Sequence, residues 1–271
     1  MKETVRSWLE SGEIEVFLGY RLVEGHPVPY AFHRERLEEL EELVEGSARY
    51  PLEKMAMEIQ AQNPEVRIGL LARGCTQRAV NVLGVLRQLE PERLRMITVE
   101  CCPSPLHQSP QCSSLQAPPQ LPGKSRWGIY QGTSLEAVEE MEPEERFARW
   151  AYEFDKCIKC YGCRDICPVC VCKDCSLADE NLVEKGWLPV EVPLFHMVRA
   201  VHMAGRCVDC GLCEEACPVD IPLRLLYRKV AAVVKDLFDY VPGLATEPLS
   251  LGPMDEEEKR RFAAGGIGLA E

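Results

Sequence analysis

Apolar and polar positions change period several times along this chain. In EVRIGLLARGC, Val66, Ile68 and Leu70 alternate with polar neighbours before the run becomes wholly apolar, which predicts a buried strand. The following TQRAVNVLGVLRQLE switches to helical spacing at Ala79, Leu83 and Leu86, with Thr76 placed to cap it and Pro91 to stop it. RLRMITVECC then returns as an apolar strand. The three segments predict a β-α-β unit with a right-handed crossover and parallel strands. Cys75 and the Cys101–Cys102 pair should then leave the sheet at the same carboxyl edge, where ligands of open α/β sheets bind.

Two further helices follow. PLFHMVRAVHMAG opens on Pro193, carries Phe195, Val198 and Val201 at roughly helical spacing and exits at Gly205. His196 and His202 stand too far apart to share a face, so they are expected to pack or hydrogen-bond rather than to bind a metal together. PLRLLYRKVAAVVKDLFDY sets Leu226, Val230, Val233, Val234 and Leu237 along one side, a stripe expected to serve a small core. By contrast PSPLHQSPQCSSLQAPPQLPG, residues 103–123, is too rich in Pro, Gln and Ser to pack alone, and the tail 241–271 mixes Pro, Gly and an acidic block in the same way. Both are expected to need a partner to order them.

Composition narrows the chemistry. The chain has 271 residues, 46% of them hydrophobic, enough for one or two globular domains. Its 31 basic and 43 acidic residues leave a net charge of −12, which argues against nucleic acid or an anionic membrane as the main partner. The first residues lack a signal-peptide core and no run is long enough to span a bilayer, so the expected location is the cytoplasm without membrane insertion. A reducing compartment disfavours disulfides, and clustered cysteines there read as metal ligands.

Fifteen cysteines are present, eleven of them between Cys157 and Cys217. The acidic EEMEPEERF, residues 139–147, is the expected joint between an α/β domain, 1–145, and a cysteine-rich domain, 146–240. Cys157, Cys160, Cys163 and Cys167 precede Pro168 with the spacing C-x2-C-x2-C-x3-C-P, and Cys207, Cys210, Cys213 and Cys217 repeat it before Pro218. This is the bacterial ferredoxin run. In two-cluster ferredoxins the fourth cysteine of each run ligates the other cluster, which predicts the sets Cys157, Cys160, Cys163 with Cys217 and Cys207, Cys210, Cys213 with Cys167. Paired zinc knuckles are the alternative, but zinc has no use for the third step of the run or for its proline.

Cys170, Cys172 and Cys175 remain over. With a fourth ligand from the amino-terminal sheet edge, Cys102 first and Cys101 or Cys75 next, they could hold a third [4Fe-4S] cluster or a single zinc, or stay free. A non-cubane centre of the paired-cysteine type is disfavoured, because Pro103 follows Cys102 and no second pair exists.

FDKCIKCYGCRDICPVCVCKDC together with FHMVRAVHMAGRCVDCGLCEEACPVDIPLRLL resembles iron–sulfur subunits related to the beta subunits of formate dehydrogenase and coenzyme F420 hydrogenase. The helical setting resembles the α-helical ferredoxin domain of heterodisulfide reductase and succinate dehydrogenase subunits. LLARGCTQRAVNVL is similar to an R-G-C-D-x-R-A segment of the same group, with Thr76 where Asp is usual. The resemblance spans roughly residues 65–230. It implies an electron-transfer subunit of a larger anaerobic redox complex whose other subunits are catalytic or carry FAD or FMN.

The expected fold is therefore α+β, a small βαβ unit followed by an α-helical two-cluster ferredoxin domain. No G-x-G-x-x-G or P-loop pattern is present. A flavin phosphate could still sit near Arg73, Gly74 and Arg78 at the start of the first helix of the βαβ unit. That gives a second functional reading, hydride exchange with F420 or NAD at the amino-terminal domain.

Overall fold

The structure is a computed structural model, and it describes residues 1–45, 49–99, 135–177, 192–245, 247 and 249. The amino-terminal part is a mixed sheet of five strands: β1 (Val16–Val23), β2 (His26–His33), β3 (Leu43–Val44), β4 (Ile68–Ala72) and β5 (Leu94–Thr98). Their order is β2-β1-β4-β5, and β3 pairs with the far end of β1. β1 and β2 form a hairpin whose turn residues Glu24 and Gly25 have φ of 51° and 81°. Two positive φ values in a two-residue turn match the right-handed twist of the flanking strands. Pro27 and Pro29 interrupt the donors of β2, which is tolerable because β2 is an edge strand and residues two apart point their backbone N–H the same way.

The anticipated β-α-β unit is β4, α3 (Gly74–Val85) and β5, with β4 and β5 parallel from Ile68↔Leu94 to Ala72↔Thr98. β4 is buried along its length, as its apolar run requires. β5 departs from the expectation of an apolar strand: it lies at the sheet edge, with only Leu94 buried and Met96 exposed. Two α-helices precede the unit, α1 (Lys2–Ser11), which packs beside β1, and α2 (Leu52–Gln62), which packs against α3 and β4. With β1, β2 and β3 the sheet is larger than a bare βαβ unit. Gly69 exists for packing: a Cβ there would stand 2.6 Å from Ile14 Cδ1 and 2.6 Å from Phe17 Cδ2.

The second part is helical. α4 (Leu135–Glu139) and α5 (Pro143–Asp155) flank the acidic stretch, with Pro143 at the first turn of α5. Residues 139–147 run from the last residue of α4 through a short turn into the first part of α5. α4 packs on the last long helix, α9 (Leu223–Phe238), where Glu139 pairs with Lys229 and Val138 is buried. Between them lie the one-turn helices α6 (Gly162–Asp165) and α8 (Leu212–Glu215), which pack on each other, and α7 (Val192–His202). α9 buries Leu223, Leu225, Tyr227 and Val234, while Val233 and Leu237 are exposed. The stripe expected to face a core therefore turns partly outward, since the loops bearing the cysteines lie on the neighbouring side of the helix.

α3 belongs to both halves. Val80 and Leu83 join the core of the sheet, whereas Ala79 and Val82 join a second core built with Phe154, Phe195, Tyr227 and the cysteine loops. The first residues of the tail complete this joint, because Asn81 Nδ2 donates to the Gly243 carbonyl at 2.9 Å. The loop 103–123 and most of the tail lie outside the described residues. Among the described residues, no helix is long and apolar enough to cross a membrane.

Candidate metal centres

The two cysteine runs adopt the same backbone path. Lys159 and Tyr161 in the first have φ of 55° and 60°, and Asp209 and Gly211 at the matching places in the second have 51° and 81°. Left-handed residues at these steps curl the chain so that amides point back at sulfur. Lys159 N donates to Cys157 Sγ at 3.4 Å, and Ile221 N donates to Cys217 Sγ at 3.4 Å. Further amides, those of Asp209, Leu212 and Val169, serve Cys207, Cys210 and Cys167. Such N–H···S contacts favour thiolate over thiol.

The fourth cysteine of each run lies with the other run. Burial raises the Cys163 thiol to about 11, and the nearby thiols that add to the rise are Cys157, Cys217 and Cys160. Burial likewise raises Cys157, again with Cys217 and Cys160 beside it. In the second group, burial lifts Cys207 to about 12, with Asp209 and then Cys167 opposing ionisation. Cys210 and Cys213 are pushed well up by burial, and Cys167 acts on both. The thiols thus fall into two groups of four whose members act on one another's ionisation. Their donor set, four sulfurs ringed by amides in an apolar pocket, fits an iron–sulfur cubane, and binding one would release the protons that burial holds on these thiols. Among the described residues, no three His, Cys, Asp or Glu side chains close on a point in the way a single metal ion would hold them.

Neighbouring elements fix each loop. Gly162 opens α6 where a Cβ would stand 3.2 Å from the Ala216 carbonyl oxygen, so the two runs meet backbone to backbone. Asp209 accepts from Arg224 Nε at 2.9 Å and pairs with Arg228 at 2.9 Å, which ties the second loop to α9 and holds its carboxyl below the usual range against the opposing effect of burial. Glu214 Oε1 accepts from Arg224 N at 2.9 Å, capping the start of α9.

The amino-terminal part reaches the second loop with two arginines. Arg78 donates to the Val208 carbonyl, and Arg49 donates to the Cys210 carbonyl and pairs with Glu215 at 3.5 Å. Neither was legible as a loop clamp from local spacing. Arg73 is buried and acts on the Tyr20 hydroxyl, and Gly74 opens α3. At the anticipated phosphate site Arg73 and Arg78 are thus buried, with the Arg78 guanidinium turned to the second cysteine loop, and Gly74 is half-buried.

The surplus cysteines take separate partners. Cys170 is half-buried and accepts from Arg199 Nη1 at 3.6 Å, Cys175 is within hydrogen-bond reach of Arg164, and Cys172 is exposed. Cys75 stands beside Cys210, against the second group. Cys101 and Cys102, the other candidates for a fourth ligand, lie outside the described residues. His196 is buried in a stack on Phe154, ring centroids 4.8 Å apart, where burial and then Arg199 lower it to about 4. It is a packing residue.

Residues 200–222 match the family model of the 4Fe-4S binding domain. The chain is 42% identical over 96 residues to an F420-dependent formate dehydrogenase subunit beta of Methanocaldococcus jannaschii, covering 35% of this chain and 25% of that protein. It is 43% identical over 104 residues to the F420-dependent formate dehydrogenase 1 subunit beta of Methanococcus maripaludis, covering 38% of this chain and 27% of that protein. The aligned stretch thus spans about a quarter of the length of these relatives. With a 4Fe-4S binding domain at its second cysteine run, the chain is an iron–sulfur protein similar, over part of its length, to the beta subunits of F420-dependent formate dehydrogenases.

Proposed function

We propose that the chain is an electron-transfer subunit of a cytoplasmic, anaerobic oxidoreductase complex of formate dehydrogenase, hydrogenase or heterodisulfide reductase type. Cys157, Cys160, Cys163 and Cys217 hold one [4Fe-4S] cluster, and Cys207, Cys210, Cys213 and Cys167 hold the other. The observation that supports this reading is that Cys217 acts on the ionisation of Cys157 and Cys163, and Cys167 on that of Cys207 and Cys213, so each fourth cysteine is within electrostatic reach of the other run.

Each cluster, when bound, supplies a one-electron couple. The protein holds the ligands as thiolates, keeps water away and aims amides at the sulfurs, which are the levers that set such a couple's potential. Cys160 is exposed, so the first site is the one nearest to an outside partner. The second site backs on the α/β unit through Arg78 and Arg49. Catalytic and flavin-bearing subunits of the complex are the partners, and the FAD or FMN belongs to them.

Anaerobically purified protein should contain about eight iron and eight sulfide per chain, the content of two cubanes. Near-stoichiometric zinc with little iron would overturn the reading. Cys217→Ala should remove the signal of the cluster at Cys157, Cys160 and Cys163 and spare the other. Loss confined to the cluster at Cys207, Cys210 and Cys213 would refute the crossed ligand sets.

A further inference from the structure

Arg199 lies on α7, between the two runs in sequence, and is 2% exposed. Its Nη2 donates to the Cys163 carbonyl at 2.8 Å and its Nη1 to Cys170 Sγ at 3.6 Å. Its side chain is also within hydrogen-bond reach of Cys167, so one guanidinium touches residues of both runs. Below it is the Tyr227 ring, whose centroid is 5.9 Å from the guanidinium carbon. Arg224, almost as deeply buried, is neutralised by Asp209 at 2.9 Å. Arg199 has no such counterpart: among the described residues no carboxylate lies within ion-pair distance of it.

A buried cation with no anion to balance it is strongly unfavourable. Among the described residues, the source of balancing charge next to Arg199 is the thiols and what they hold. His196, one turn earlier and also buried, is neutral in this position and adds no second cation.

We propose that Arg199 is a fixed positive charge shared by the two cluster sites, raising the reduction potential of both and keeping the two couples in step. The proposal rests on the two-cluster reading. Reduction of either cluster adds one electron and takes up no proton, so negative charge accumulates at the cluster and its thiolates. A guanidinium already fixed beside Cys163 and close to Cys167 stabilises that added charge at either site without reorganisation. Arg suits the place because its fork satisfies a carbonyl and a sulfur in two directions while remaining ionised when desolvated.

The test is an anaerobic potentiometric titration of the full chain, followed by electron paramagnetic resonance, for wild type, Arg199→Gln and Arg199→Lys. The Gln variant should lower both midpoint potentials, and the Lys variant, which keeps the charge, should leave both near wild type. Unchanged potentials in Arg199→Gln, movement of one couple only, or an equal shift in Arg199→Lys overturns the proposal. If Arg199→Gln assembles without its clusters, iron content decides: Arg199→Lys must retain both, and a Lys variant as empty as the Gln variant overturns it. Wild-type iron and sulfide content, measured first, separates failure of the two-cluster reading from failure of this one.

Discussion

The guanidinium of Arg78, on the helix of the β-α-β unit, donates to the Val208 carbonyl of the second cysteine loop at 3.0 Å through Nη2 and at 3.3 Å through Nε. Both groups are buried, so the contact is sheltered from competing water. Arg78→Met should leave the Val208 carbonyl without its donor, at a cost of about 1–3 kcal/mol. A lower thermal midpoint and faster amide exchange across residues 207–213 are the expected readouts. Unchanged exchange there would show that the loop does not depend on this clamp.

Gly243 and Gly25 separate backbone strain from steric fit. Their φ values are 79° and 81°, so a side chain is equally disfavoured by conformation at both. At Gly25 a Cβ would meet open space, whereas at Gly243 it would stand 2.5 Å from Arg78 Cβ and 2.7 Å from the Arg78 carbonyl oxygen. Gly25→Ala should destabilise by roughly 1 kcal/mol, and Gly243→Ala by about 1–3 kcal/mol more as the tail is pushed off α3. Equal losses in urea unfolding would contradict the packing at Gly243.

Glu53 of α2 is 3% exposed, and its Oε2 has no hydrogen-bond partner. Burial raises its pKa to about 8 from an ordinary 4.5, against the pull of its own amide and Arg49. Between these values the folded state holds a proton that the unfolded state has lost, so stability falls as pH rises through that window and the loss is complete above about 8. Glu53→Gln should remove that slope and make the variant more stable than wild type at alkaline pH. Parallel stability curves for the two proteins between pH 6 and 9 would mean that Glu53 is ionised in the fold.

The β4–α3–β5 segment was legible because its apolar period changes from strand to helix and back within one short stretch. The cysteine runs were legible because the spacing within each is local in sequence. What brings the two groups together was less so. Arg199, Arg78 and Arg49 each act across more than 30 residues, and a charged side chain in a helical pattern reads as a solvated face until its surroundings are known. β2 was hidden by Pro27 and Pro29, which local propensity counts against a strand and an edge position permits. The stripe on α9 followed the helical period correctly, yet period alone does not say which of two adjacent faces the cysteine loops will cover.

The proposed ligand sets would also set an order of events during synthesis. In them the thiol group around Cys157 is closed by Cys217, sixty residues further along the chain. While the ribosome is still adding α7, the first loop can offer only three of its four sulfurs. Cys167 waits in the same way for Cys207, Cys210 and Cys213. Neither pocket can be complete until nearly all of the second run has been made. On the proposed sets, a nascent chain stalled before that point would present a row of unsatisfied, oxidisable thiols, and metal loading would be one of the last steps in making the protein.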